Sequence, residues 1–176
     1  LLGLPGEASG YVSQRVNIDP FELATLSFGY GMMVTHLQLA HGYAVLANDG
    51  RDPGIYLVKG AKRMAPKRVF SEHVAKDVQN MLQHVLDRAG TGHRARIQGV
   101  KVAGKTGTAH VAVGGRYAKN IYMASFVGMF PTPHPRYVVS VVLNQPDIDY
   151  YFGGLSAAPI FADIGAKMTR LGLTSK

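Results

Sequence analysis

Residues 104 to 108 read Gly-Lys-Thr-Gly-Thr and follow the apolar run Val100-Lys101-Val102-Ala103. In extended chain successive side chains alternate between faces, so Thr106 and Thr108 share one face with Gly107 between them. One ammonium, two hydroxyls and a glycine that lets a second backbone come close suit an extended, carboxylate-bearing peptide or its mimic. The same alternation sends Lys105 to the other face. A single site uses all three polar groups only if the lysine crosses at the strand edge.

Gly99 to Thr106 also satisfies G-x-x-x-x-G-K-[ST], the pattern of a phosphate-cradling loop. That loop needs flexible residues between its glycines and a helix opening after the lysine. Here the intervening residues are Val-Lys-Val-Ala, a β-type alternation, and Gly107-Thr108-Ala109-His110-Val111 is poor helix material. The pattern is met without its context, and an extended strand is expected. Histidines stand at 36, 41, 73, 84, 93, 110 and 134 with no H-E-x-x-H and no i, i+4 pair, so no metal site is expected. His110 follows the pentad and has two readings, a residue at a cleft rim and an ordinary exposed strand residue, of which the second fits better. Asp147 and Asp149 lie in a loop with nothing beside them to support glycosidase chemistry. No cofactor is expected.

A chain of 176 residues with 47% apolar and 17% charged residues makes one ordinary globular domain. It has no cysteine, which suits an oxidising compartment, and no run of 18 apolar residues. It starts at Leu1 without methionine or signal peptide, and reads as a piece of something longer. The net charge is +8, but the densest basic group, Lys59, Lys62, Arg63, Lys67 and Arg68, sits in a Gly- and Pro-containing connector without interleaved aromatics. A solvated loop facing anionic lipid or cell-wall polymer fits better than nucleic acid.

The elements that position the pentad can be read from caps and periodicity. Residues 1 to 19 read as the end of a helix and a loop, and Tyr30-Gly31 with Met32-Met33 as a buried turn. Thr35 and Gln38 form a capping box opening a helix with Leu37, Ala40, Ala44 and Ala47 on one face, which stops at Asn48-Asp49-Gly50. Residues 51 to 68 form an extended connector with a short strand over Ile55 to Lys59. Ser71 caps a second helix with Val74, Val78, Met81, Leu82, Val85 and Leu86 as its buried stripe, ending at Gly90, with Glu72 and Arg88 suiting its dipole. Strands follow at Val100–Val111, Tyr122–Phe130 and Tyr137–Leu143. The valine run in the last predicts cover on both faces. A final helix from Ser156 to Leu171 directs Ile160, Ile164, Met168 and Leu171 to the sheet.

The pentad has company. Ser27-Phe28-Gly29-Tyr30-Gly31 leads to Thr35-His36-Leu37-Gln38-Leu39-Ala40; Gly90-Thr91-Gly92-His93-Arg94-Ala95 precedes the pentad. Phe130-Pro131, Tyr151-Phe152-Gly153-Gly154 and Ala158-Pro159-Ile160-Phe161 follow it. K-T-G is one of three signatures of penicillin-binding proteins and class A β-lactamases. In order and spacing these segments resemble the C-terminal part of a class B penicillin-binding protein transpeptidase domain, most closely the division-specific penicillin-binding protein 3 type. The resemblance covers nearly all of residues 1–176.

It implies an α+β class: a partial penicillin-binding-protein/β-lactamase-like fold with three C-terminal antiparallel strands covered by helices. It also implies a serine-type peptidoglycan D,D-transpeptidase, a β-lactam target in septal cell-wall cross-linking, in a periplasmic domain anchored in the inner membrane. Lys105 would supply positive potential and help move a proton. Thr106 and Thr108 would hold the substrate carboxylate across Gly107, with the Thr108 N–H as one oxyanion donor. Tyr122, Tyr151 and Phe152 would line the cleft. The partners implied are D-alanyl-D-alanine stem peptides, β-lactams and divisome membrane proteins.

Two signatures are missing. None of the serines at 9, 13, 27, 71, 125, 140, 156 and 175 has a lysine three residues on, and no S-x-N or Y-x-N triplet occurs. The chain is therefore expected to lack the nucleophile-bearing portion and to be inert alone. Loss of the neighbouring strands would leave the Tyr137 strand with an open edge suited to self-association. Two alternatives remain: a non-catalytic binding or self-associating module, and a penicillin-recognising serine hydrolase.

Overall fold

The computed structural model describes residues 2, 5–12, 17–114 and 116–174. Its centre is an antiparallel sheet in the order β5-β6-β7, formed by Ala103–Val113, Arg116–Phe130 and Tyr137–Asn144. The Gly-Lys-Thr-Gly-Thr segment lies inside β5, which runs on as strand to Val113, so no helix opens behind the lysine and the phosphate-loop pattern is excluded. β5 begins at Ala103 rather than Val100, because Ile97 to Val100 close a turn in which Gly99 has φ 75° and the Val100 N–H donates to the Ile97 carbonyl at 3.1 Å. β6 begins six residues before Tyr122, at Arg116. Asn120 absorbs the local twist at φ 63°, a conformation asparagine tolerates. A register shift between His110 and Ala112 marks a bulge in the long hairpin.

Both faces of the sheet are covered at its centre. Register places Gly104, Thr106, Thr108 and His110 opposite Gly128, Phe126, Ala124 and Tyr122, so these residues share a face. On that face the Phe126 and Phe130 rings pack on Phe161 of α4 (Ala157–Arg170), with centroids 4.8 and 5.6 Å away. Ala103, Val127 and Met129 point the other way and are buried as well. There α2 (His36–Ala47) lies against β6 and β7, and α3 (Glu72–His84) against β5.

The interface of α4 differs from the aliphatic stripe expected for it. Ala157, Ala158, Phe161 and Gly165 are buried, while Ile160, Ile164 and Leu171 are 40%, 36% and 74% exposed. Close approach explains the choice: a methyl group on Gly165 would lie 2.1 Å from Ile97 Cδ1. Small residues and one ring, with Met168 packed at the margin, set the seam.

α3 is corrected in the same way. Ser71 caps it through the Val74 N–H, as the sequence indicates. Within the helix the buried residues are Ala75 and Gln79, with Val74 and Met81 exposed; of the expected stripe, Leu86 is buried and Val85 packs against the core, both just past the helix end. Gln79 is inside because its amide donates to the Leu46 carbonyl in the last turn of α2, one of the acceptors a helix end leaves over. The helix stops at His84, so Arg88 and Gly90 belong to the following turns, where the Gly90 N–H donates to Asp87.

The capping box at Thr35 and Gln38 forms in both directions, and α2 ends at Ala47 with Asn48 as its C-cap and Asp49 and Gly50 at positive φ. Other local expectations fail. Met32–Met33 is not a buried turn but a strand, β2, paired with β1 (Tyr11–Val12) and largely exposed. No helix occurs in the described part of residues 1 to 19; instead α1 spans Pro20–Leu26, capped by the Asp19 carboxylate. Ile55 to Lys59 is not a strand. The pairing in that connector is β3 (Arg51–Asp52) with β4 (Lys67–Arg68). β7 is half-buried, with Val141 its only buried residue, because the sheet ends there: among the described residues β7 pairs with β6 alone. The His36 imidazole Nε2 donates to its Ser140 carbonyl at 3.0 Å.

Candidate active site

Among the described residues no strand pairs with the other end of the sheet, the edge of β5, and the polar groups of the pentad collect there. Lys105 starts on the face opposite Thr106, yet its Nζ lies 3.0 Å from the Thr106 carbonyl and 3.5 Å from Thr106 Oγ1. The four-carbon stem folds back over the strand and delivers the ammonium to the hydroxyl side. No carboxylate among the described residues forms an ion pair with it. The positive charge is therefore available to an incoming anion.

Each hydroxyl is held by a different neighbour. Thr106 Oγ1 donates to Thr91 Oγ1 at 3.0 Å. Thr91 belongs to the turn after α3, fixed by the Gly92 N–H to the Val85 carbonyl at 2.9 Å. It becomes a third hydroxyl of the candidate site; the Gly90-Thr91-Gly92 segment belongs to the resemblance, but nothing in its sequence assigns Thr91 a role. Thr108 Oγ1 accepts from the Gly153 N–H at 3.1 Å, which leaves its proton free to donate outward. A hydroxyl whose lone pair is already engaged by a backbone donor is oriented before any ligand arrives.

Gly153 is where the loop after β7 lands on the sheet. A methyl group there would lie 2.3 Å from the Ser125 carbonyl oxygen and 2.5 Å from that of Gly107. Only glycine permits that approach to strand backbone. Gly154 is tied down likewise, its missing methyl 2.2 Å from the Thr91 carbonyl oxygen. The glycine pair thus locks the Thr91 turn, β5 and the aromatic loop together.

The locked loop carries Tyr151 and Phe152. Tyr151 stacks on Tyr122 of β6 with centroids 4.1 Å apart and on Phe152 at 4.2 Å. His110 is tilted against Tyr122 with centroids 4.6 Å apart. Four rings are therefore in pairwise contact, and the loop that carries two of them is bonded to Thr108 through Gly153. Tyr122, Tyr151 and Phe152 are brought together as a wall, and Phe152 remains half exposed at its end. Asp147 takes no part: its carboxylate accepts the Asp149 N–H at 3.0 Å, a cap for a single helical turn. The site is an open strand edge. Concavities of about 730 and 280 Å³ lie elsewhere, one around Tyr11, Met33 and Gln38 and one around Tyr56 and Arg63.

The candidate site is thus a strand edge bearing an ammonium and three hydrogen-bonded hydroxyls next to an aromatic wall, donors of the kind that a carboxylate accepts from. Residues 1–166 match the penicillin binding protein transpeptidase domain, and the chain belongs to that family. Among its relatives is the probable peptidoglycan D,D-transpeptidase PenA of Neisseria meningitidis. It is 39% identical over 173 residues, which is 98% of this chain and 30% of the relative. The peptidoglycan D,D-transpeptidase FtsI of Escherichia coli K12 is 41% identical over 164 residues, 93% of this chain and 28% of the relative. The apo transpeptidase domain of Burkholderia pseudomallei penicillin-binding protein 3 superposes with a TM-score of 0.86 at 38% identity. That superposition covers 99% of this chain and 54% of the solved one. The chain thus spans about a third of its curated relatives and about half of a solved transpeptidase domain.

Proposed function

We propose that these residues form the carboxylate-binding wall of a serine-type peptidoglycan D,D-transpeptidase, and that its nucleophile lies on a segment outside the 176 residues. The observation that carries this reading is the Lys105 ammonium folded over β5 to Thr106, beside Thr91 and the pre-oriented Thr108. An extended D-alanyl-D-alanine stem peptide adds along the free edge of β5 and places its terminal carboxylate among the three hydroxyls. The serine oxygen attacks the penultimate carbonyl, and the oxyanion accepts from the Thr108 N–H and from the nucleophile's own N–H. The bond to the terminal D-alanine breaks, its amine takes a proton, and an acyl-enzyme remains for a second strand's amine. A β-lactam places its carboxylate in the same position and opens its ring on the serine. Lys105 holds the anion and biases proton movement towards the leaving group. Tyr122, Tyr151 and Phe152 flank the acyl side chain.

The order of motifs and the likeness to FtsI support septal cell-wall synthesis, in a periplasmic domain anchored in the inner membrane and working with divisome membrane proteins. No helix among the described residues is long and apolar enough to cross a membrane. The absence of S-x-x-K and S-x-N supports an inactive isolated chain. The open edge of β7 supports a second behaviour, pairing of the chain with another copy of itself.

The reading is tested in the complete protein that carries this segment, by its rate of acylation with a fluorescent penicillin. Thr106→Val and Lys105→Ala each remove a charge-assisted contact of roughly 1.5–3 kcal/mol, so acylation falls about 10- to 150-fold. Acylation of both variants at the wild-type rate overturns it.

A further inference from the structure

We propose that the loop between β3 and β4 is a docking site for an acidic, leucine-bearing segment of a partner protein. Between Asp52 and Glu72 the chain has no acidic residue, and Lys59, Lys62, Arg63, Lys67 and Arg68 all fall there. The loop is folded. The Ala61 N–H donates to the Val58 carbonyl at 3.2 Å, closing a turn. The Met64 N–H donates to Tyr56 Oη at 2.9 Å, and the Arg63 guanidinium stands 6.0 Å over the Tyr56 ring. Arg68 is committed to the structure, donating to the Asp49 and Phe70 carbonyls. Lys59, Lys62 and Arg63 are exposed, and none of them forms an ion pair among the described residues.

Charge and shape together select the occupant. Tyr56, Val58, Lys59, Gly60, Ala61 and Arg63 line a concavity of about 280 Å³, room for one or two side chains. Leu57, Val58 and Met64 stand around it, 65%, 71% and 79% exposed. Apolar side chains held in water on one ordered loop mark a contact surface. A free polyanion such as a cell-wall polymer would neutralise the cations and leave these three residues wet. A bilayer would cover the apolar residues but leave the concavity empty. An acidic peptide with an apolar side chain satisfies both, with carboxylates on the lysines and the side chain in the concavity.

The test uses fluorescence anisotropy with a labelled peptide that repeats two glutamates and one leucine, added to the complete protein that carries this segment. Saturable binding that weakens with salt is expected. It should weaken about tenfold or more in the Lys59→Glu, Lys62→Glu, Arg63→Glu triple variant, the size expected from three exposed charge contacts. The charge-matched control Lys101→Glu, Lys167→Glu, Arg170→Glu should bind like wild type. A peptide with serine for leucine should bind several-fold more weakly. All six positions are exposed, and matched melting curves confirm folding. Equal loss in both triple variants, or equal affinity for the serine peptide, overturns the proposal. So does binding to phosphatidylglycerol vesicles that the loop variant abolishes while peptide binding survives.

Discussion

Replacing Gly153 by alanine tests whether the glycine pair holds the aromatic loop on the sheet. The added methyl would lie 2.3 and 2.5 Å from the carbonyl oxygens of Ser125 and Gly107. Both belong to paired strands and cannot swing aside as a side-chain tip would. The loop must lift, and three contributions go with it. Overpacking against backbone costs roughly 1–3 kcal/mol. Losing the Gly153 N–H to Thr108 Oγ1 bond costs about 1 kcal/mol. Unstacking Tyr151 from Tyr122 costs roughly 0.5–1.5 kcal/mol. These contributions share one movement and do not add fully, so a net loss of about 3 kcal/mol is expected, or about 6–12 °C of melting temperature for a chain this size. The control is Gly42→Ala within α2, where nothing lies within 4 Å of the added methyl. It should be neutral or gain up to about 1 kcal/mol from helix propensity. Melting followed by far-UV circular dichroism reads both variants, and near-UV dichroism reads the tyrosine stack. A Gly153→Ala protein melting within a degree or two of wild type, with its tyrosine signal intact, refutes the locking role.

Other predictions follow from single contacts. Asp52 accepts from the Gly54 N–H at 2.7 Å and from His41 Nε2 at 2.6 Å, and these, the backbone donor first, hold its carboxyl below the usual range. A lowered carboxyl contributes stability that is full above its unfolded pKa of about 3.9 and disappears as pH falls through the folded value. Asp52→Asn should therefore be less stable than wild type at pH 7, with the two urea midpoints converging near pH 2; an equal gap at both pH values contradicts the assignment. Thr91→Val removes the acceptor of the Thr106 hydroxyl on an exposed turn, so the complete protein should acylate about five- to tenfold more slowly while melting unchanged. The open β7 edge predicts that scattering mass rises with concentration for the 176-residue chain; a monomer at all concentrations removes self-association.

Local signals carried the elements whose causes are local. The capping box at Thr35, the stop at Asn48-Asp49-Gly50, the Ser71 cap and the Tyr137 strand need only their own residues, and all form. The Asp19-Pro20 start of α1 carried the same kind of signal, a carboxylate cap before a proline at the first helical position, and went unread. Periodicity placed Leu86, Val85 and Met168 against the core but misjudged Val74, Met81, Ile160, Ile164 and Leu171, because it counts hydrophobicity and not closeness. Gln79 is buried for a carbonyl on another helix, and Gly165 is buried because Ile97 comes too near for any side chain.

The candidate site divides in the same way. Lys105, Thr106 and Thr108 stand in one motif, and the aromatic wall of Tyr122, Tyr151 and Phe152 followed from likeness. Thr91 reaches Thr106 across 15 residues and Gly153 reaches Thr108 across 45. Such contacts exist only after the turn behind α3 and the loop behind β7 have docked. The crossing of Lys105 over its own strand likewise depends on side-chain reach, which alternation cannot express.

The central claim is that these residues bind the carboxylate while the attacking serine lies elsewhere. Intact-mass spectrometry after incubation with benzylpenicillin tests it most directly, on the 176-residue chain and on the complete protein that contains it. The account predicts no covalent adduct on the chain alone, and on the complete protein a single penicilloyl adduct mapping to a serine outside this segment. An adduct on any of the eight serines of this chain would contradict it.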